Sequence, residues 1–244
     1  MKGVLLGRTD ARLVDIAHDL PRQDVRAAAF WLREVVPYFP PAVHLVVVDP
    51  GVGTDRAAIV IRAGGHALVG PDNGVLVPVA RRLAGGEEFE VFRIAEGGAA
   101  GAWLPAPESS TFHGRDVFAP AAARVHEVGD IDADRGFART DDWEDLSFPT
   151  ATVGEDHAAG EVLVVDDFGN TITNIPGECV AVRFGSSIAV NGASVPARET
   201  YATVAPGERL VTVGSHGNAE LAVNQGRGDE AFALAPGDAV ELDW

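Results

Sequence analysis

His44-Leu45-Val46-Val47-Val48-Asp49-Pro50-Gly51-Val52-Gly53-Thr54-Asp55-Arg56 is the stretch that decides the fold. Its first half, His44–Asp49, is a continuous β-branched run, the pattern of a strand buried on both faces. Its second half is a tight turn shaped by Pro50 and two glycines. Ligands of α/β sheets gather beyond the carboxyl ends of strands, which is where this turn falls. The turn leaves Asp49 and Arg56 facing one cleft; the structural alternative is a surface ion pair across a turn. Outward from this stretch, strand-like and helix-like segments alternate. Ala11–Ile16, Ala57–Arg62 and Ala67–Val69 read as strands, with Pro71-Asp72-Asn73-Gly74 as a turn. Gln23–Val36, stopped by Pro37, reads as a helix, as do Val75–Leu83 and Val117–Val128. The alternation predicts an α/β N-terminal domain over residues 1–150 with a mostly parallel sheet.

The texture then changes. Gly97–Ser110 is rich in Gly, Ala and Pro and reads as a loop. Asp130–His157 is acidic and aperiodic and reads as an irregular crossing, with 151–157 as the linker. Residues 158–244 carry short apolar runs punctuated by Gly or Pro: Glu161–Asp166, Thr171–Asn174, Cys179–Phe184, Ser187–Val190, Leu210–Val213, Glu220–Val223 and Ala239–Leu242. That spacing predicts a small all-β barrel as the C-terminal domain.

Composition narrows the function. The 244 residues carry a net charge of −17, which argues against nucleic acid as the main partner because phosphates need a basic face. Lys2 is the only lysine among the 19 basic residues. An acidic surface stripped of lysine reads as salt adaptation, since molar salt screens such repulsion within about 3 Å; a GC-rich genome is the alternative. No apolar run is long enough to cross a bilayer, and Met1-Lys2-Gly3-Val4-Leu5-Leu6 is too short and too soon polar for a signal peptide. The expectation is a cytoplasmic protein, with the single Cys179 as a small buried hydrophobe.

Three further clusters accompany Asp49–Arg56. Gly70-Pro71-Asp72-Asn73-Gly74 is a turn placed to support the first cluster. Thr111–Pro120 brings His113, Arg115 and Asp116 to a helix start, with Phe112 able to pack on a ring. Asp116 is expected to cap the helix and Arg115 to form a structural ion pair. Asp166-Asp167-Phe168-Gly169-Asn170 contains the kinase tripeptide Asp-Phe-Gly, but no Gly-rich loop, strand lysine or catalytic loop accompanies it. Its carboxylate, aromatic face and amide suit a cationic amine and a purine ring, whereas paired aspartates alone make a poor metal site.

Together these clusters resemble the S-adenosylmethionine hydroxide adenosyltransferase family, which is similar to the enzymes that make 5′-halo-adenosines. The resemblance runs in order through the whole chain and includes Met1-Lys2-Gly3, Asp15-Ile16-Ala17-His18-Asp19 and Pro37-Tyr38-Phe39-Pro40. It implies hydrolysis of S-adenosyl-L-methionine to adenosine and L-methionine, with Asp49, Arg56 and His113 as the catalytic set. The halide-using relatives are expected to lack that set, so water is the implied nucleophile. It further implies a homotrimer, with each site between the N-terminal domain of one subunit and the barrel of its neighbour.

Implied substrate contacts are Asp166 to the methionine ammonium, Asn170 and Phe168 to adenine, and Phe112 to the ribose. Ser215 and the backbone at His216 would hold the methionine carboxylate, and Glu220, Val223 and Asn224 would complete the adenine pocket through backbone groups. No cofactor or metal is implied. The family has a strand and an aspartate-bearing loop before Met-Lys-Gly, so the expectation is a start codon placed too late. Two rivals remain at this level. A chloride-using 5′-halo-adenosine synthase would yield chloro-adenosine, and a trimer that only binds S-adenosylmethionine or adenosine would show affinity without turnover.

Overall fold

The computed structural model describes residues 1–95, 103–104 and 106–244, in two compact units, Met1–Ser147 and Phe148–Trp244. The expected loop Gly97–Ser110 therefore lies partly outside the described residues.

The first unit contains strands β1 (Val43–Leu45), β2 (Ala58–Ala63), β3 (His66–Pro71), β4 (Glu90–Ile94) and β5 (Phe137–Thr140) in the order β1-β3-β2-β4-β5. Its helices are α1 (Lys2–Leu6), α2 (Val25–Val35), α3 (Val77–Ala84) and α4 (Ala119–Val128). The sheet is mixed, not mostly parallel: β1–β3 is parallel, and β3–β2, β2–β4 and β4–β5 are antiparallel. The cause is local. Gly64 and Gly65 join β2 to β3 with both φ angles positive, 55° and 82°, which suits the tight turn of a two-residue hairpin and forces antiparallel pairing.

The decisive run behaves as an edge strand. Val43, Leu45 and Val47 pack toward the core that includes Phe92, Phe118 and Val125, while His44 and Val46 are buried on the other side. Only Val43–Leu45 forms a ladder, and among the described residues β3 is its one partner. Ala11–Ile16 is not a strand. Among the described residues no strand pairs with it, Val14 and Ile16 are exposed, and Asp15 bonds the Lys2 and His18 side chains at 2.5 and 3.0 Å. The expected helix at Gln23–Val36 forms as α2, with the Asp24 carboxylate accepting the Ala27 N–H. Part of the expected crossing is ordered, because β5 pairs along β4.

The second unit holds β6 (Thr152–Val153), β7 (His157–Val165), β8 (Thr171–Pro176), β9 (Ser187–Val190), β10 (Ala193–Pro196), β11 (Arg209–Val213), β12 (Asn218–Val223) and β13 (Ala239–Asp243), with short helices α5 (Glu178–Ala181) and α6 (Gly228–Phe232). The order β10-β9-β13-β7-β8-β12-β11 is antiparallel throughout, β6 pairs β7, and an isolated bridge from Ala197 to Val211 nearly closes the sheet into a barrel. Ile175, Ile188, Leu221, Val240 and Leu242 fill its core. Cys179–Phe184 is not a strand: the Gly177 carbonyl accepts the Val180 and Ala181 N–H groups and starts α5. A short apolar run is ambiguous between the two states by periodicity alone. Cys179 is buried, as expected.

Phe92 is fully covered in the first core, so Phe92→Ala is expected to destabilise the protein by about 3–5 kcal/mol in denaturant unfolding. A loss under ~1 kcal/mol would mean that this core is not packed as described.

Candidate active site

Arg56 is the centre of the first cluster. Its Nε donates to Asp49 Oδ1 at 3.0 Å and its Nη2 to Asp49 Oδ2 at 2.5 Å, a two-point fork. Nη2 also donates to His113 Nδ1 at 2.9 Å, and Nη1 donates to the Ala57 carbonyl at 3.2 Å. The guanidinium lies over the Phe118 ring, 5.0 Å from its centroid. Both charged side chains are almost wholly buried, at 9% and 5% exposure for Arg56 and Asp49. A guanidinium only donates, so the Nδ1 lone pair accepts and the ring proton of neutral His113 sits on Nε2.

Local structure explains the convergence. Asp49 and Arg56 are the two ends of one turn, closed internally by Thr54 Oγ1 donating to the Gly51 carbonyl at 2.6 Å. At Gly53, with φ 80°, a Cβ would come within 2.9 Å of the Ser110 carbonyl oxygen, so glycine lets the turn lie against the segment leading to His113. The helix that the sequence starts at Val117 begins earlier, as a π turn over Gly114–Phe118. π turns are frequent at functional sites. Here His113 and Phe118, five residues apart, meet the same guanidinium. Phe118 is the residue that the motif reading missed; its only sequence signal is that spacing.

Asp116 does not cap the helix. Its carboxylate accepts the Ser109 N–H at 3.1 Å and pairs with Arg115 at 2.6 Å, so the ion pair expected of Arg115 is present. That guanidinium lies above the half-exposed Phe112 ring.

The second cluster lies in the barrel unit. Asp166 and Asn170 close a turn on each other: the carboxylate accepts the Asn170 N–H at 2.8 Å and its Nδ2 at 2.9 Å. Phe168 stands at the tip, 79% exposed. Glu220 is buried on β12, where its carboxylate accepts the Tyr201 hydroxyl at 2.5 Å and faces His216 Nε2 at 3.4 Å. His216 Nδ1 accepts the Asn218 N–H, and Ser215 beside it is exposed. Backbone groups of Glu220 and Leu221 are committed to ladders on both sides, whereas Val223 pairs with β11 and bridges Gly226, whose N–H donates to its carbonyl. Asn224 donates its amide to the Val204 carbonyl at 2.7 Å. Tyr201 is a second residue that the motifs do not flag, because it lies in an irregular segment with no pattern. Among the described residues, no group of three or more His, Cys, Asp or Glu side chains could hold a metal ion.

Burial, then the Glu220 carboxylate, pushes the Tyr201 phenol above its ordinary range. An alkaline absorbance titration, assigned by difference from Tyr201→Phe, should therefore ionise Tyr201 above the usual value of about 10. Glu220→Gln should move that step down. An unmoved step would show that the carboxylate does not act on the phenol.

Comparison with known proteins completes the picture. Models of the SAM hydroxide adenosyltransferase N-terminal and C-terminal domains match residues 1–133 and 160–241. A Salinispora tropica protein named (R)-S-adenosyl-L-methionine hydrolase is 42% identical, over 98% of this chain and 90% of its own. A Thermus thermophilus protein of the same name is 41% identical, over 99% and 92%. The crystal structure of a conserved protein from Thermotoga maritima, 33% identical, matches with a TM-score of 0.87 over 100% of this chain and 93% of that one.

Proposed function

The chain belongs to the SAM hydroxide adenosyltransferase family, and on that premise we propose that Asp49, Arg56 and His113 hold and activate the water that attacks its substrate. It is an enzyme that hydrolyses S-adenosyl-L-methionine to adenosine and L-methionine. The observation that carries the residue assignment is one buried guanidinium shared by a carboxylate and an imidazole.

The chemistry follows from the substrate. Sulfonium leaves as a neutral thioether, so expelling methionine calls for no metal, cofactor or acid. Water, with a pKa of about 15.7, is the weak partner. It attacks C5′ in line with the C5′–S bond; the O–C5′ bond forms, the C5′–S pair returns to sulfur, and one water proton leaves. Arg56 only donates and the single His113 Nδ1 lone pair is already engaged, whereas each Asp49 oxygen keeps a second lone pair beside its bond from Arg56, so we assign Asp49 as the acceptor of that proton. Arg56 and His113 fix its position, and orientation of this kind can supply roughly 7–11 kcal/mol.

Substrate contacts are assigned as the family resemblance implies. Asp166 takes the ammonium, Ser215 and His216 the carboxylate, Asn170, Phe168, Glu220, Val223 and Asn224 the adenine region, and Phe112 the ribose. The same reading makes the active molecule a homotrimer, each site joining groups from two copies. The names of the relatives specify the (R) sulfonium epimer, and we assign that epimer to this enzyme. No described helix is long and apolar enough to cross a membrane. The −17 charge with a single lysine supports a salt-rich setting.

Chromatography after incubation with each epimer in high salt tests this reading. Adenosine and methionine should form from the (R) epimer; chloro-adenosine in chloride, or binding without turnover, would contradict it. His113→Ala and Asp49→Asn should each lower kcat by about 10²–10⁴-fold with little change in affinity. A collapse of affinity with kcat intact would make these residues binding groups instead.

A further inference from the structure

We propose that Asn73 is a positioning residue for the reaction, acting through the turn that presents Asp49 and Arg56; this rests on the catalytic reading of those two residues. The β1–β3 ladder ends at Leu45, and one more bond, Val46 N–H to the Val69 carbonyl at 2.9 Å, continues it. Past that point the two segments no longer pair through their backbones. At Val48, the residue before Asp49, the carbonyl takes its proton from the Asn73 side chain instead, with Nδ2 to oxygen at 2.9 Å. The Asn73 Oδ1 accepts the Val75 N–H at 3.2 Å, so the amide group is held from its other end as α3 begins.

The neighbouring residue fixes the other end of the turn. The Asp72 N–H donates to the Ala57 carbonyl at 2.9 Å, and Ala57 follows Arg56. That carbonyl also receives Arg56 Nη1. The Asp72 side chain is buried and accepts the Glu144 N–H at 2.9 Å, which anchors the clamp to a third segment. Two consecutive residues thus hold both stems of the Asp49–Arg56 turn. The stem before Asp49 depends on a side chain rather than a backbone ladder, so it is the one a substitution can release.

The test is a double-mutant cycle on the full-length enzyme with S-adenosylmethionine as substrate. Asn73→Asp keeps the acceptor for Val75 and removes the donor to Val48. It should lower kcat by about 10²-fold, the scale of a 1 Å misplacement, with KM and melting temperature little changed. In an Asp49→Asn background the same change should lower kcat hardly further, because both act through one centre. Asn73→Ser, whose hydroxyl is too short to replace the amide, carries the same expectations should Asn73→Asp fail to fold. Wild-type kcat in a folded Asn73 variant, or full multiplicativity with Asp49→Asn, overturns the proposal while leaving the catalytic reading intact. Wild-type turnover in Asp49→Asn itself overturns that reading, and this proposal with it.

Discussion

A buried arginine with two partners is the constraint on which this structure turns. Arg56 cannot lose its charge, so wherever it is buried the protein must supply a counter-charge and acceptors. Asp49 supplies the charge in a two-point fork, and His113 Nδ1 and the Ala57 carbonyl supply further acceptors. Such a pair adds little net stability, since desolvation offsets the attraction, but breaking it by removing one partner costs about 3–5 kcal/mol. Its value is geometric: a carboxylate, a guanidinium and an imidazole are held in one relative arrangement.

The rest of the first unit reads as support for that arrangement. The sheet delivers Asp49 from the end of an edge strand and Arg56 from the start of the adjoining hairpin. A π turn rather than a regular helix start lets His113 and Phe118 reach the same guanidinium from two sides. The barrel unit offers a different chemistry, dominated by carboxylates, with Asp166 in a tight turn and Glu220 buried beside Tyr201. A cationic sulfonium substrate suits such surroundings, and the net charge of −17 would draw it toward the protein when salt is low.

Much of this was legible in the residues, and the failures have physical causes. Motif residues near in sequence to their partners, such as Asp49 with Arg56, declare themselves because a short turn must bring them together. The contact of His113 with Arg56 spans 57 positions, and the family resemblance rather than the local pattern grouped them. Helix–strand alternation predicts a parallel sheet, but Gly64-Gly65, a hairpin signal in its own right, makes the sheet mixed. Ala11–Ile16 alternates like a strand yet pairs with none among the described residues, and pairing is a tertiary fact. Within Cys179–Phe184, Val180 and Val182 are β-branched, yet Cys179–Ala181 is helical because Gly177 offers its carbonyl to two successive amides. Tyr201 stayed hidden because its significance is the buried Glu220 19 residues away.

The central claim is that this centre delivers water to carbon. Turnover of S-adenosylmethionine in oxygen-18 water, followed by mass spectrometry of both products, tests it most directly. The account requires one labelled oxygen in adenosine, on C5′, and none in methionine. Unlabelled adenosine, or label in methionine, would contradict it.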